Sequence, residues 1–123
     1  MLTQTCKHKL ANMQTQTCKQ QHPNKDIQIE VDQQEQLAVV LNSRATSILL
    51  DNFQSEILEE IINYIRSHKN GKNIYIEVSG GITKDTLAQY CIKGINGISM
   101  GSLTHNVKSV DISLDIQAIK QNK

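Results

Sequence analysis

The 123-residue sequence predicts an α/β fold built from about four parallel strand–helix units. Three observations lead there. Short runs rich in Ile and Val alternate with stretches of helical spacing. Each run ends on acidic, glycine or serine residues. The corner positions Glu30, Asp51, Ser79 and Gly101 lie 21, 28 and 22 residues apart. That spacing leaves room for a crossover that carries the chain back before the next parallel strand begins. The runs are apolar enough to read as strands covered on both faces.

The elements follow in order. Residues 1–25 are polar, and "TQTCK" occurs at 3–7 and again at 15–19. Two copies are too few for a solenoid. The segment reads as a polar tail or a loosely docked helix ending at "HPNKD". Residues 26–118 form the predicted domain, and 119–123 a short C-terminal tail. "IQIEV" at 27–31 is the first strand. "DQQEQLAVVLNS" at 32–43 is a helix with Leu37, Val40 and Leu41 on one face and Asp32 near its cap. "TSILLDN" at 46–52 is the second strand. "QSEILEEIINYIRSH" at 54–68 is the clearest helix, with Ile57, Ile61, Tyr64 and Ile65 in phase. Ser55 reads as its N-cap, and Glu56 and Glu59 sit where negative charge suits the helix dipole. "NGK" breaks the chain before "NIYIEV" at 73–78, the third strand. "TKDTLAQYCIKG" at 83–94 is a helix with Leu87, Tyr90 and Cys91 inward, stopped by Gly94. "GISM" at 97–100 is the fourth strand, followed by a short helix at 103–110 and an extended segment, "DISLDI", at 111–116.

Composition restricts the function classes. Net charge is +1, so nothing in the charge balance points to nucleic acid. Phe53, Tyr64, Tyr75 and Tyr90 are the only aromatics, too few for a base-stacking surface. No apolar run nears the roughly 18 residues of a membrane span, and "MLTQTCKHKL" has no apolar stretch of signal-peptide length. The expectation is a cytoplasmic protein with no membrane partner. Cys6, Cys18 and Cys91 form no CxxC pair, and an odd count fits reduced thiols. The spacing of Cys6, His8, Cys18 and His22 matches no standard zinc pattern.

In parallel α/β folds chemistry collects at the C-terminal ends of the strands. Here those ends carry Glu30, Asp51 with Asn52, Glu77 with Ser79-Gly80-Gly81, and Gly101-Ser102 with His105. Glycine permits φ > 0 and lets a ligand approach without a Cβ in the way. Amides opening the next helix favour an anion. Two neighbouring turns of this kind make a phosphate cradle, although each alone also fits a tight loop. Glu30 sits in an otherwise apolar strand, and Asp51 follows "SILL". Acids so placed meet a cation, water or sugar hydroxyls, pair with a basic group or, for Asp51, cap the following helix. Beside a phosphate cradle they suggest a sugar phosphate bound with Mg²⁺, which takes oxygen ligands. His105, just past the second glycine turn, is placed for a phosphate hydrogen bond or a loop contact.

"IEVDQQEQL", "ILLDNF", "IEVSGGIT" and "ISMGSLTHNVKSVDISLDI" together resemble the C-terminal half of the quinolinate phosphoribosyltransferases, the carboxylating nicotinate-nucleotide pyrophosphorylases of NAD biosynthesis. The resemblance covers about residues 20–116. It implies an incomplete (β/α) barrel. It also implies an activity: quinolinate and 5-phosphoribosyl 1-diphosphate, with Mg²⁺, give nicotinate mononucleotide, CO₂ and diphosphate. By resemblance, Glu30 and Asp51 are the catalytic acids facing the ribose and its Mg²⁺. Ser79, Gly80, Gly81, Gly101, Ser102 and His105 bind the ribose phosphate. The family grips quinolinate with Arg and Lys residues from regions that have no counterpart in this sequence. Arg44 and Arg66, its only arginines, fall in helical connections.

Three expectations follow. The chain is a C-terminal portion that keeps the ribose-phosphate half-site and needs a complementing chain or self-association for activity. Alternatively it is a non-catalytic half-barrel that binds a phosphorylated ligand, or an inert truncated remnant.

Overall fold

The computed structural model describes residues 2–3, 16–17 and 19–101. Five strands form one sheet in the order β1-β2-β3-β4-β5, every pair parallel. They are β1 (Leu2–Thr3), β2 (Ile27–Val31), β3 (Ser47–Asp51), β4 (Tyr75–Ser79) and β5 (Gly97–Ile98). Strand order equals chain order, so each crossover moves one position in the same direction. That is how a (β/α) barrel grows, whereas a doubly wound sheet reverses at its middle. The result is an open α/β sheet with the order of a partial barrel. β1 lies inside the stretch read as a polar tail, because two residues of ladder carry no periodicity to detect. Residues 16–17 and 19–21 are helical. The Lys19 ammonium closes the following turn by donating to the carbonyls of Pro23 (3.4 Å) and Lys25 (2.6 Å).

The sheet alternates with period two. Ile27, Ile29, Val31, Ile48, Leu50, Ile76 and Val78 are buried against the helices. Leu37, Val40 and Leu41 of α1 (Leu37–Leu41) and Leu58, Ile61, Ile62 and Ile65 of α2 (Ser55–Ser67) pack there. The opposite face carries Gln28, Glu30, Ser47, Leu49, Asp51, Tyr75, Glu77 and Ser79. That face is mainly polar, with Leu49 and Tyr75 among its acids and hydroxyls, and it is partly covered: Gln28 and Ser47 are buried while Tyr75 is exposed. Neighbouring Ile and Leu residues hid the alternation in "SILLD".

Local chemistry adjusts several expected elements. The first helix begins as a 3-10 turn, Gln34–Gln36, before α1. Asp32 and Gln36 clasp across it. Gln36 Nε2 donates to Asp32 Oδ1 (2.6 Å), and the Asp32 amide donates to Gln36 Oε1 (3.1 Å). The N-cap of α2 is Gln54, with Ser55 its first residue, and no side chain caps it. Within α2 the buried stripe runs through Leu58 and Ile62, while Ile57 and Tyr64 are exposed. The helix expected over 83–94 is α-helical only as α3 (Leu87–Tyr90). Thr83 and Thr86 hydrogen-bond each other's amides ahead of it (3.0 and 3.3 Å), the local competition that keeps threonines in turns. Leu87 and Tyr90 pack against the core, whereas Cys91 is exposed rather than inward.

At the N-terminal ends of the strands Arg66 ties the return loops together. Its Nη1 donates to the carbonyls of Gly71 (2.9 Å), Lys72 (3.3 Å) and Ile74 (2.7 Å). Its Nη2 donates to Gly94 O (2.7 Å) and Asn96 Oδ1 (3.0 Å). Gly71 lies against the last turn of α2, where a Cβ would run into the Ile65 carbonyl. Arg66 thus holds the loops entering β4 and β5 at the rim opposite the strand ends of interest.

Candidate functional site

Register places the site residues. Glu30 is opposite Leu49, Leu49 opposite Glu77, and Glu77 opposite Gly97. Asp51, one step further along the same face, is opposite Ser79. Strands about 4.8 Å apart and a rise of about 3.3 Å per residue put Glu30 and Glu77 each about 8–10 Å from their neighbouring acids. Three carboxylates thus surround Leu49 on one half-buried face. None of the described strands contributes a Lys or Arg to balance them.

Each carboxylate is held differently. Asp51 takes a donor on both oxygens: Ser79 Oγ to Oδ1 at 2.6 Å and Asn52 Nδ2 to Oδ2 at 2.7 Å. Asp51 therefore joins the ends of β3 and β4, and no side chain caps α2. Glu77 receives Gln28 Nε2 on Oε2 at 2.7 Å and the Ser99 hydroxyl on Oε1. Gln28 also reaches Ser47 Oγ at 3.3 Å. Among the described residues nothing hydrogen-bonds the Glu30 carboxylate, which is half-buried beside Leu49. Sequence reasoning named Glu77 at a strand end but missed Gln28 and Ser99. Counting back by two from Glu30, and forward by two from Gly97, would have found them on this face.

The glycine turn divides its labour. Gly80 has φ +96°, and a Cβ there would lie 2.6 Å from the Asn52 amide nitrogen, and closer still to Asn52 Oδ1. The missing side chain at Gly80 is filled by Asn52, which donates its own amide to Ser79 O at 2.9 Å. Gly81 has φ +63°, and a Cβ there would meet no atom of the described residues within 4 Å. Gly81, not Gly80, faces open space at the rim. α3 is a single turn and brings no long helix dipole to this corner. Gly101 is an exposed turn residue. Ser102 and His105 lie outside the described residues, as do Cys6, His8 and Cys18.

Among the described residues no three His, Cys, Asp or Glu side chains converge on one point as a metal cage. A cavity of about 180 Å³ lined by Asp26, Thr46, Ser47 and Tyr75 lies at the N-terminal ends of the strands. It is at the far rim from Ser79 and shares no residue with the strand-end cluster. No helix of the described residues is long and apolar enough to cross a membrane.

A parallel sheet whose strand order follows chain order, with a carboxylate-lined face and a glycine turn at its C-terminal rim, places the chain in the partial-barrel class of α/β folds. Within that class the family can be stated. The chain belongs to the quinolinate phosphoribosyltransferase family: residues 4–115 match the model described as "Quinolinate phosphoribosyl transferase, C-terminal domain". The probable nicotinate-nucleotide pyrophosphorylase (carboxylating) of Methanocaldococcus jannaschii is 46% identical over 94 residues. The match takes 75% of this chain and 33% of that protein. The nicotinate-nucleotide pyrophosphorylase (carboxylating) of Dictyostelium discoideum is 40% identical over 91 residues, 74% of this chain and 30% of that protein. The solved structure of the nicotinate-nucleotide pyrophosphorylase from Francisella tularensis superposes with a TM-score of 0.72 at 26% identity. It covers 92% of this chain and 39% of that one. The chain spans about a third of the length of the curated relatives it matches.

Proposed function

We propose that this chain supplies the ribose-phosphate half of a quinolinate phosphoribosyltransferase site. One observation carries the reading: two parallel strand ends are locked together by Asp51, Ser79 and Asn52, with Gly81 facing open space beside them. In a chain of this family, that corner is suited to a sugar phosphate. The phosphate rests against the Ser79–Gly81 turn, and the family resemblance adds Gly101, Ser102 and His105 as further phosphate-binding residues. Glu30 and Asp51 face the ribose. Their carboxylates accept hydroxyl hydrogen bonds and stabilise the positive charge that grows at the anomeric carbon as diphosphate departs.

The acids fit Mg²⁺ in one particular way. The spread of Glu30 and Asp51 does not make an all-protein cage. Mg²⁺ is commonly held by one or two carboxylates together with substrate phosphates and water. The residues suit an ion that arrives with the ribosyl donor, where it would neutralise the diphosphate leaving group.

Quinolinate and its decarboxylation require cationic groups that the described strands do not contribute. We therefore assign the complete reaction, to nicotinate mononucleotide, CO₂ and diphosphate, to an assembly. In it a complementing segment or a further copy covers the acidic face. A cytoplasmic setting remains part of this reading. The test is a product assay with quinolinate, 5-phosphoribosyl 1-diphosphate and Mg²⁺. The purified chain is assayed alone and mixed with the remaining two-thirds of a relative, with its oligomeric state measured in parallel. Nicotinate mononucleotide formed only in the mixture supports the half-site. Donor binding without product under any combination favours the non-catalytic half-barrel. No binding and non-cooperative unfolding favour the inert remnant.

A further inference from the structure

Asn52 is the non-glycine residue with positive φ among those described, at +59°. Side chains seldom take this left-handed conformation, and asparagine is among the few that tolerate it. Two groups depend on it here. The Asn52 amide nitrogen donates to Ser79 O at 2.9 Å, which pins the end of β3 to the end of β4. Its carboxamide turns back on the preceding residue and donates to Asp51 Oδ2 at 2.7 Å. Ser79 occupies the other oxygen of that carboxylate. Gly80 leaves the space in which the Asn52 side chain lies.

We propose that Asn52 is a positioning residue: it fixes the Asp51 carboxylate in a single orientation at the strand-end rim. The reading that Asp51 faces a bound ribosyl donor is the one on which the functional consequence rests. Backbone and side-chain duties are separable at this position. Glycine adopts positive φ without cost, so Asn52→Gly keeps the turn and the link to Ser79 while removing the carboxamide. Asn52→Asp keeps the shape but sets an acceptor against an acceptor.

The experiment uses the full chain and has a ligand-free arm. In the proton–nitrogen NMR spectrum the Asn52 carboxamide gives one downfield proton that exchanges slowly, and Asp51→Ala abolishes that signature. An Asn52 carboxamide with the shifts of a free side chain, unaffected by Asp51→Ala, overturns the proposal. The second arm titrates 5-phosphoribosyl 1-diphosphate with Mg²⁺ and follows thermal unfolding in the same samples. Asn52→Gly is expected to keep or raise the melting temperature yet bind about 10-fold more weakly, the loss of one charge-assisted hydrogen bond's worth of positioning. Asn52→Asp binds more weakly still. Wild-type affinity in Asn52→Gly overturns the proposal. A wild-type chain that binds no ribosyl donor defeats the functional reading instead, and the carboxamide signature then decides the positioning of Asp51 by itself.

Discussion

Alanine at Gly80 and at Gly81 should have opposite consequences, although the two glycines are adjacent and both have positive φ. At Gly80 the backbone stands at φ +96°, and a Cβ would fall 2.6 Å from the Asn52 amide nitrogen. The left-handed backbone alone costs an L-residue about 1–2 kcal/mol. Asn52 must also move, which weakens its bonds to Ser79 O and Asp51 Oδ2, each worth about 1 kcal/mol net. Gly80→Ala is therefore expected to destabilise by about 3 kcal/mol, a fall in melting temperature on the order of 12 °C for a chain of this size. At Gly81 only the backbone term applies, since a Cβ there meets nothing within 4 Å among the described residues. Gly81→Ala should cost about 1 kcal/mol and shift melting by roughly 4 °C. Ligand binding inverts the order. If the phosphate rests at this turn as proposed, a methyl at Gly81 enters its space, so affinity for 5-phosphoribosyl 1-diphosphate with Mg²⁺ should fall by more than tenfold in the folded protein. The assay is thermal unfolding followed by titration below the transition. Equal melting temperatures for the two variants would refute the division of labour, and so would wild-type binding by Gly81→Ala.

Other outcomes follow from the same contacts. Arg66→Ala removes five donor contacts at the far rim and should cost about 2–4 kcal/mol in urea unfolding. Arg66→Lys should recover less than half of that, because an ammonium cannot fork between the β4 and β5 loops. Ser79→Ala should weaken ribosyl-donor binding about 5- to 10-fold and cost about 1 kcal/mol, roughly 4 °C in melting, since it frees one oxygen of Asp51 near the rim. In the complemented enzyme, Glu30→Gln and Asp51→Asn should each lower kcat by about 100-fold or more with the fold intact by circular dichroism. The Cys91 thiol is exposed, so it should react with a thiol reagent in the native state, and Cys91→Ser should remove that fast phase.

Much of the fold was readable because Ile and Val mark β2, β3 and β4, and because 21 to 28 residues separate the corners. The residues at the rim, Glu30, Asp51 and Ser79, were found from their position after those runs. Three features were not readable. β1 is two residues long and lies between polar neighbours. The polar face of the sheet was obscured because Leu49 stands among Glu30, Asp51 and Glu77 and makes "SILLD" look uniformly apolar. The role of Gly80 depends on Asn52, 28 positions earlier, and only the β3–β4 register brings the two together. The short α3 is likewise a local outcome. Thr83 and Thr86 satisfy each other's amides, a competition that helical spacing in "TKDTLAQYCIKG" does not report.

Whether the C-terminal rim of the sheet holds a ribosyl phosphate, as proposed, can be read from an NMR titration of the full chain with 5-phosphoribosyl 1-diphosphate in Mg²⁺, following backbone amides residue by residue. Saturable shifts should concentrate at Asp51, Asn52, Ser79, Gly80, Gly81 and Gly101 while Arg66 and Tyr75 at the opposite rim stay still. Shifts centred on Asp26, Thr46 and Tyr75, or none at the strand-end turn at saturating donor, would contradict it.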